Sequence, residues 1–298
     1  MRYSPEKNSH TLDHFAVFSD QSNDSMKVSF MARAMVLATL PHSKSDELTY
    51  QRKNGYYTLT MMANPQFGLP YGSVPRMILA WLTTEAIRKK SPEIDIGKSF
   101  ASFLKKIELQ NGGGKRGNAT RVREQMMRLL TCSISCIYLD KNKGICEGEQ
   151  YHICKSFQLW WNPLNNKKKN FLTNSKIILA KDFYDELIKS PIPIYFDALN
   201  LLRKSPLQID IYVWLTYRFS FLKDKIFIPW KLIKNQFGSD YADDSQGNRN
   251  FKKKFIQALK KIWLVYPAAN VSPTDNGLTL YKSETHVKKK QANKPVDN

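Results

Sequence analysis

Trp-Leu-Thr stands at Trp81-Leu82-Thr83 and again at Trp214-Leu215-Thr216, and the same order of elements comes after each copy. The first is succeeded by a charged helix end, the short strand-like Ile94-Asp95-Ile96, an apolar helix and a basic helix. The second is succeeded by Ile226-Phe227-Ile228, a helix opening at Pro229-Trp230 and another basic helix. Three letters constrain little by themselves. A repeated order of elements constrains the chain to two copies of one module, and a net charge of +20 makes that module a candidate reader of DNA.

At 298 residues the chain is long enough for two domains of ordinary size, each with its own core. Hydrophobic residues at 42%, 12% of the chain being aromatic, exclude wholesale disorder. The 46 Lys and Arg against 26 Asp and Glu imply an anionic partner, nucleic acid before an acidic membrane surface. The charge is not confined to a tail. Residues 249–263 hold Arg249, Lys252, Lys253, Lys254, Lys260 and Lys261 without one acid, inside a segment with helical apolar spacing. No apolar run approaches the roughly 18 residues that a membrane span needs, and the first residues lack the apolar core of a secretory signal. The expectation is a cytoplasmic protein that neither crosses nor binds a membrane and uses no cofactor.

Residues 1–25 read as a flexible arm, 26–40 as a helix, and 56–62 as a strand. Breakers punctuate Asn64-Pro65-Gln66-Phe67-Gly68-Leu69-Pro70-Tyr71-Gly72. Ser73 is then placed to cap a helix with Pro75 in its first turn and Ile78, Leu79, Leu82 and Ala86 inward. A second helix over 98–107 turns Phe100, Phe103, Leu104 and Ile107 inward. The loop Gly112-Gly113-Gly114-Lys115-Arg116 leads into a basic helix over 120–133, with Val122, Met126, Leu129 and Leu130 on one stripe and Arg121, Glu124, Gln125 and Arg128 opposite. Segments 136–139 and 157–161 look like strands flanking a wing, and Pro191-Ile192-Pro193-Ile194, which cannot be helical, marks the join between halves. In the second half Ser205-Pro206 opens a long helix. The final basic helix buries Phe251, Phe255, Leu259 and Ile262 and turns Asn250, Lys253, Gln257 and Lys260 outward. Strands at 264–268 and 278–281 flank the turn Asp275-Asn276-Gly277.

Each half thus reads helix, strand, helix, turn, basic helix, hairpin. That order predicts an α+β, mostly helical chain of tandem winged-helix domains. The domains are 26–190 and 191–283, the second being the main sequence reader, with a disordered tail over 284–298. The predicted DNA-binding residues are Lys115, Arg116, Arg121, Gln125 and Arg128 in the first half. In the second they are Arg249, Asn250, Lys253, Lys254, Gln257, Lys260 and Lys261. Arg, Asn and Gln match base edges in the major groove, whereas Lys neutralises phosphate. One such helix face could equally be plain solvated surface, but two of them after matching elements favour a partner.

Other chemistry is a poor fit. Cys132, Cys136, Cys146 and Cys154, with His152 beside the last, lack the Cys-x-x-Cys pairs of a zinc site, and no metal is expected. Lys115 follows three glycines, but Leu109 stands where a phosphate loop needs its first Gly and Arg116 where it needs Ser or Thr. His10 and His14 lack the intervening Glu of a metalloprotease helix. No His-hydrophobic-His pair exists for a nicking enzyme. The expectation is no catalytic residue and no enzyme.

The residues also resemble the RepA-type plasmid replication initiators, relatives of the winged-helix initiators of iteron plasmids. The first signature is Gly68-Leu69-Pro70-Tyr71-Gly72, Pro75-Arg76, Trp81-Leu82 and Thr84-Glu85-Ala86, continued by Gly97-Lys98-Ser99, Gly112-Gly113, Arg121, Gln125 and Arg128-Leu129. The second half carries Leu201-Leu202-Arg203-Lys204-Ser205-Pro206 and Ile209-Asp210-Ile211-Tyr212-Val213-Trp214-Leu215-Thr216-Tyr217-Arg218. Further along stand Trp230, Gln236-Phe237-Gly238-Ser239-Asp240-Tyr241, Phe251, Phe255, Tyr266-Pro267 and Gly277-Leu278-Thr279-Leu280. The turn after the second helix departs from the pattern, with Glu108-Leu109-Gln110-Asn111-Gly112 in place of an expected Leu-Gly. The resemblance implies binding of double-stranded DNA at repeated sites of a plasmid origin, strand opening, and recruitment of the host initiator and helicase. It further implies a homodimer that represses its own gene, formed through the first domain, in equilibrium with an initiating monomer. A plasmid-encoded winged-helix repressor without initiation activity would share every one of these residues.

Overall fold

Apolar residues at helical spacing around Trp81 and Trp214 bury two helices on nearly every side, and each helix opens one copy of the same run of elements. The computed structural model describes residues 28–32, 36, 39–97, 99–109, 117–140, 142–159, 175–238 and 240–288. The chain runs through β1 (Val28–Met31), β2 (Thr49–Asn54), β3 (Tyr57–Met62), α1 (Ser73–Lys89), β4 (Glu93–Gly97), α2 (Phe100–Lys106) and α3 (Asn118–Thr131). It continues with β5 (Ser133–Asp140), β6 (Ile145–His152), β7 (Cys154–Gln158), β8 (Ser175–Leu179), α4 (Lys181–Lys189) and β9 (Ile192–Tyr195). The last part holds α5 (Phe196–Leu202), α6 (Pro206–Phe219), β10 (Ile226–Pro229), α7 (Trp230–Phe237), α8 (Ser245–Val265), β11 (Val271–Pro273) and β12 (Gly277–Leu280).

The two halves order their strands alike. One three-stranded sheet has the order β4-β8-β7 and the other β10-β12-β11, so in both the first strand pairs with the last and the last with the middle one. The first strand of each sheet is preceded by the long helix of its half and succeeded by two helices, α2 and α3 or α7 and α8. Side chains repeat too. Trp81 meets Phe103 edge-on at 5.0 Å and Trp214 meets Phe237 edge-on at 5.4 Å, so each Trp pins the long helix of its half to the helix that comes after it. Arg123 of α3 lies over Phe100, the first residue of α2, and Lys252 of α8 lies over Trp230, the first residue of α7. Both tryptophans are buried core residues.

The fold is α+β, and with 43% helix against 27% strand among the described residues it is less dominated by helix than the sequence predicts. The extra strand content lies mostly in the first half. The segment 136–139 belongs to β5, which hairpins with β6 and joins β2 and β3 in a four-stranded sheet of order β2-β3-β5-β6. It does not flank the strand at 157–158, which lies in β7 and pairs with β8. Positions 160 and 161 lie outside the described residues. The hairpin forms because Gly144 takes a left-handed φ of 65° at its turn, while Asp140 Oδ1 accepts from the backbone N–H groups of Asn142 and Lys143.

Four local expectations change. Residues 28–31, expected in a helix, form β1 and pair antiparallel with β9, because a long-range partner at 192–195 completes their backbone hydrogen bonds. Ser73 is the first helical residue rather than the cap; Gly72, with φ of 76°, precedes it and makes no side-chain cap bond. The strand expected at 264–268 is instead the end of α8 and a buried Tyr266, and β11 begins only at Val271. Residues 284–288, expected within a disordered tail, fold back on the core. His286 and Val287 are buried, and the imidazole stacks on Tyr266 at 4.5 Å and meets Tyr195 and Tyr212 edge-on. Burial pushes its pKa down to about 4, so a neutral ring faces the Tyr212 hydroxyl at 2.9 Å. The arm over 1–25 and residues 289–298 lie outside the described residues.

The halves share a buried polar seam. Arg76 on α1 donates through Nε and Nη2 to the two carboxylate oxygens of Asp210 on α6, each at 2.6 Å. Its remaining N–H groups reach the carbonyls of Leu40, Gly72 and Pro41 at 2.7, 2.6 and 3.3 Å, so all five donors are used. His42 Nε2 stands 2.8 Å from Asp210 Oδ2. Alongside, Gln236 of α7 donates to the Val36 carbonyl at 3.0 Å, Thr39 donates to the Gln236 carbonyl, and Ser43 donates to Asp240.

Candidate nucleic-acid interface

The strongest candidate surface is built on α8. At about 1.5 Å per residue, its 21 residues form a rod long enough to cross a groove with room at both ends. Phe251, Phe255, Ala258, Leu259, Ile262 and Val265 are buried and fix the rod against the core. The opposite face exposes Arg249, Asn250, Lys253, Lys254, Gln257 and Lys260, with Lys261 half-buried at its flank. No acid stands among them. Lys253, Lys254 and Gln257 make no hydrogen bond or ion pair within the described residues, so their polar ends are available to a partner.

The first turn is organised more closely than the sequence suggests. Asp244 caps α8, its carboxylate accepting from the Gly247 N–H at 2.6 Å. Gly247 is required sterically, since a Cβ there would sit 2.1 Å from the Ala242 carbonyl oxygen. Gln246, absent from the residues predicted from sequence, bridges two that are present: its Nε2 donates to Asn250 Oδ1 at 2.9 Å and its Oε1 accepts from Arg249 at 2.8 Å. Its spacing of three and four residues from those partners is the sequence signal that could have found it.

The hairpin β11–β12 is held by one side chain of α7 and one of α8. Trp230 Nε1 donates to the Thr274 carbonyl at 2.9 Å, and Lys252 Nζ donates to the carbonyl and carboxylate of Asp275 at 3.1 and 3.0 Å. Lys252 therefore faces the hairpin rather than the open face. At the turn's end Gly277 packs so closely on β10 that a Cβ would lie 2.3 Å from the Ile228 carbonyl oxygen.

In the first half the face predicted from sequence is mostly engaged elsewhere. Gln125 is buried at 4% exposure, and its Oε1 accepts from the Tyr71 N–H at 2.8 Å. Arg128 donates to the Leu69 carbonyl at 3.0 Å and lies over the Tyr71 ring. Both side chains hold the segment 68–71, where Gly68 at φ of 80° leaves the space that the Arg128 guanidinium fills. Only Arg121 of that trio is exposed. Lys115 and Arg116, like Lys167, Lys168 and Lys169, lie outside the described residues. The cysteines are not gathered: Cys132, Cys136 and Cys154 are buried and Cys146 is exposed, and burial pushes the Cys132 thiol to about 12 and the Cys154 thiol to about 11. Among the described residues no group of metal-ligating side chains occurs, and no helix is long and apolar enough to cross a membrane.

Fold and surface define a basic protein of two related α+β halves, the second presenting an acid-free lysine-rich helix beside a fixed hairpin. Residues 69–230 match the family described as plasmid encoded RepA protein, more than half of the chain, and the protein belongs to that family of RepA-type plasmid replication initiators. The match ends at Trp230, so α8 lies beyond it. A search of curated proteins finds no match. Among solved structures the chain is similar to the crystal structure of domain 2 and domain 3 of RctB, with a TM-score of 0.54 and 9% identity. That similarity covers 85% of this chain and 97% of the other, and at such low identity it speaks to the fold alone.

Proposed function

We propose that this protein initiates plasmid replication by binding repeated duplex sites at the plasmid origin, in the bacterial cytoplasm, with both halves acting as winged helices. In this reading α8 lies in the major groove, whose width of about 12 Å accepts one helix. Arg249, Asn250 and Gln257 read base edges. Lys253, Lys254, Lys260 and Lys261 contact phosphate or base, and the β11–β12 hairpin tracks the backbone. The first half contributes Arg121, together with Lys115 and Arg116, as phosphate contacts. Binding at the origin leads to strand opening, recruitment of the host initiator and helicase, and repression of the protein's own gene by a homodimer.

The observation that carries this reading is the acid-free exposed face of α8, fixed by a buried stripe and a docked hairpin, in a member of the RepA family. The two-domain neighbour supports the division into two halves. The test is biological. A plasmid carrying this gene with its flanking DNA and no other origin is introduced into a bacterial host, beside a copy in which Lys253, Lys254 and Lys260 are alanine. The reading expects stable colonies from the first and none from the second. No colonies from either, with promoter repression intact, would favour a plasmid-encoded repressor that does not initiate.

A further inference from the structure

Lys234 is the lysine of the second half whose ammonium is turned inward. It is 7% exposed, on α7, and its Nζ donates to the Ala242 carbonyl at 2.6 Å, to Asp243 Oδ1 at 2.7 Å and to Asn248 Oδ1 at 2.8 Å. An ammonium has three protons, and all three are engaged. Burying such a charge is costly unless its hydrogen bonds are complete, so an apolar residue would fill the same place at less risk to stability. What an apolar residue could not do is join three points at once. Two of the acceptors lie on the turn between α7 and α8, and the third lies on the first turn of α8. The bond and charge from Lys234 also hold the Asp243 carboxyl below its usual range.

The packing around it leaves little slack. A Cβ on Gly238 would come within 2.7 Å of Lys234 Cγ and 3.0 Å of the Phe251 ring, and Gly247 is pressed on Ala242. One residue past Asn248 begins the exposed run Arg249, Asn250, Lys253 and Gln257. Resting on the DNA-binding reading above, we propose that Lys234 is the positioning residue of that site. Its ammonium sets the angle and register of α8 against α7, and so decides which bases the exposed face can reach, without itself touching DNA.

The test compares specific with non-specific binding. The probes are a duplex enriched by the wild-type protein from a random library and a scrambled duplex of equal composition. Lys234→Met is expected to lower the preference for the enriched duplex by about tenfold, the discrimination of about one lost base contact. Affinity for the scrambled duplex should hold within about twofold, because that term comes from phosphate charge. A fold merely weakened would reduce the active fraction and lower both affinities together, leaving their ratio unchanged. Lys234→Gln, which keeps a neutral donor in the pocket, should fall between wild type and Lys234→Met. A folded variant with the wild-type ratio would overturn the proposal, as would failure of both variants to fold, which would make Lys234 a structural post only. If the wild-type protein shows no preference for any duplex, the DNA reading itself falls, and this inference with it.

Discussion

Arg76→Met is expected to destabilise the protein by about 3–5 kcal/mol, the cost of leaving a buried charge without its partner. Asp210 is 8% exposed and lies in the middle of α6, between Ile209 and Ile211. Burial pushes its carboxyl up, but the Arg76 charge and the hydrogen bonds from Arg76 and His42 outweigh that and hold it below the usual carboxylate range. Removing the guanidinium also takes a donor from the carbonyls of Leu40, Gly72 and Pro41, the last of which keeps the Gly72 N–H. Chemical denaturation of the wild type and the variant measures the loss. Arg76→Met combined with Asp210→Leu should recover most of it, because two apolar side chains replace the pair without a stranded charge. If the single variant unfolds with the wild-type midpoint, the seam does not hold the halves together.

The same groups set the acid limit. Asp210 is depressed in the folded state, so its contribution is complete above the ordinary carboxylate range and is lost as pH falls through its lower folded value. His286 acts earlier. Its folded pKa of about 4 lies below 6.5, so the unfolded chain takes up a proton first, and stability declines as pH falls from 6.5 towards 4. Two successive losses are expected in an acid titration of the unfolding free energy, and His286→Phe should remove the upper one.

The second large effect is on binding. Lys253→Ala and Gln257→Ala should each cost about 1–3 kcal/mol on the enriched duplex if they read bases. Equal losses on scrambled DNA would assign them to phosphate instead. Both side chains are exposed and make no hydrogen bond or ion pair within the described residues, so stability should be unchanged and the loss belongs to the complex. Arg128→Ala should behave in the opposite way. Its guanidinium is committed to the 68–71 segment, so its loss is expected to lower stability with little effect on DNA.

Much of this architecture is legible in the sequence, and the reasons differ by element. The helices around Trp81 and Trp214 and the buried stripes of α3 and α8 come from local periodicity, which a single segment carries within itself. What depends on a distant partner is not legible. Segment 28–31 is a strand because β9 pairs with it, and 286–287 is buried because Tyr195, Tyr212 and Tyr266 make a site for it. Gln125 sits at the border of the α3 stripe, where a helical wheel fits either side, and only the Tyr71 N–H decides it. The seam leaves a trace in the sequence. Arg76 and Asp210 are single charges of opposite sign, each set in the apolar stretch of a buried helix, and such charges need partners.

Recognition of repeated duplex sites by the exposed face of α8 is tested most directly by footprinting. The substrate is the DNA flanking the gene, probed with purified protein at several salt concentrations. The account predicts protected repeats of roughly 20 base pairs, enough for two major-groove contacts about one turn apart. It also predicts an affinity that falls with salt at a log–log slope between about −3 and −6, as roughly three to seven phosphate contacts require. Protection that is absent, or spread evenly along the fragment with a flat salt dependence, would contradict it.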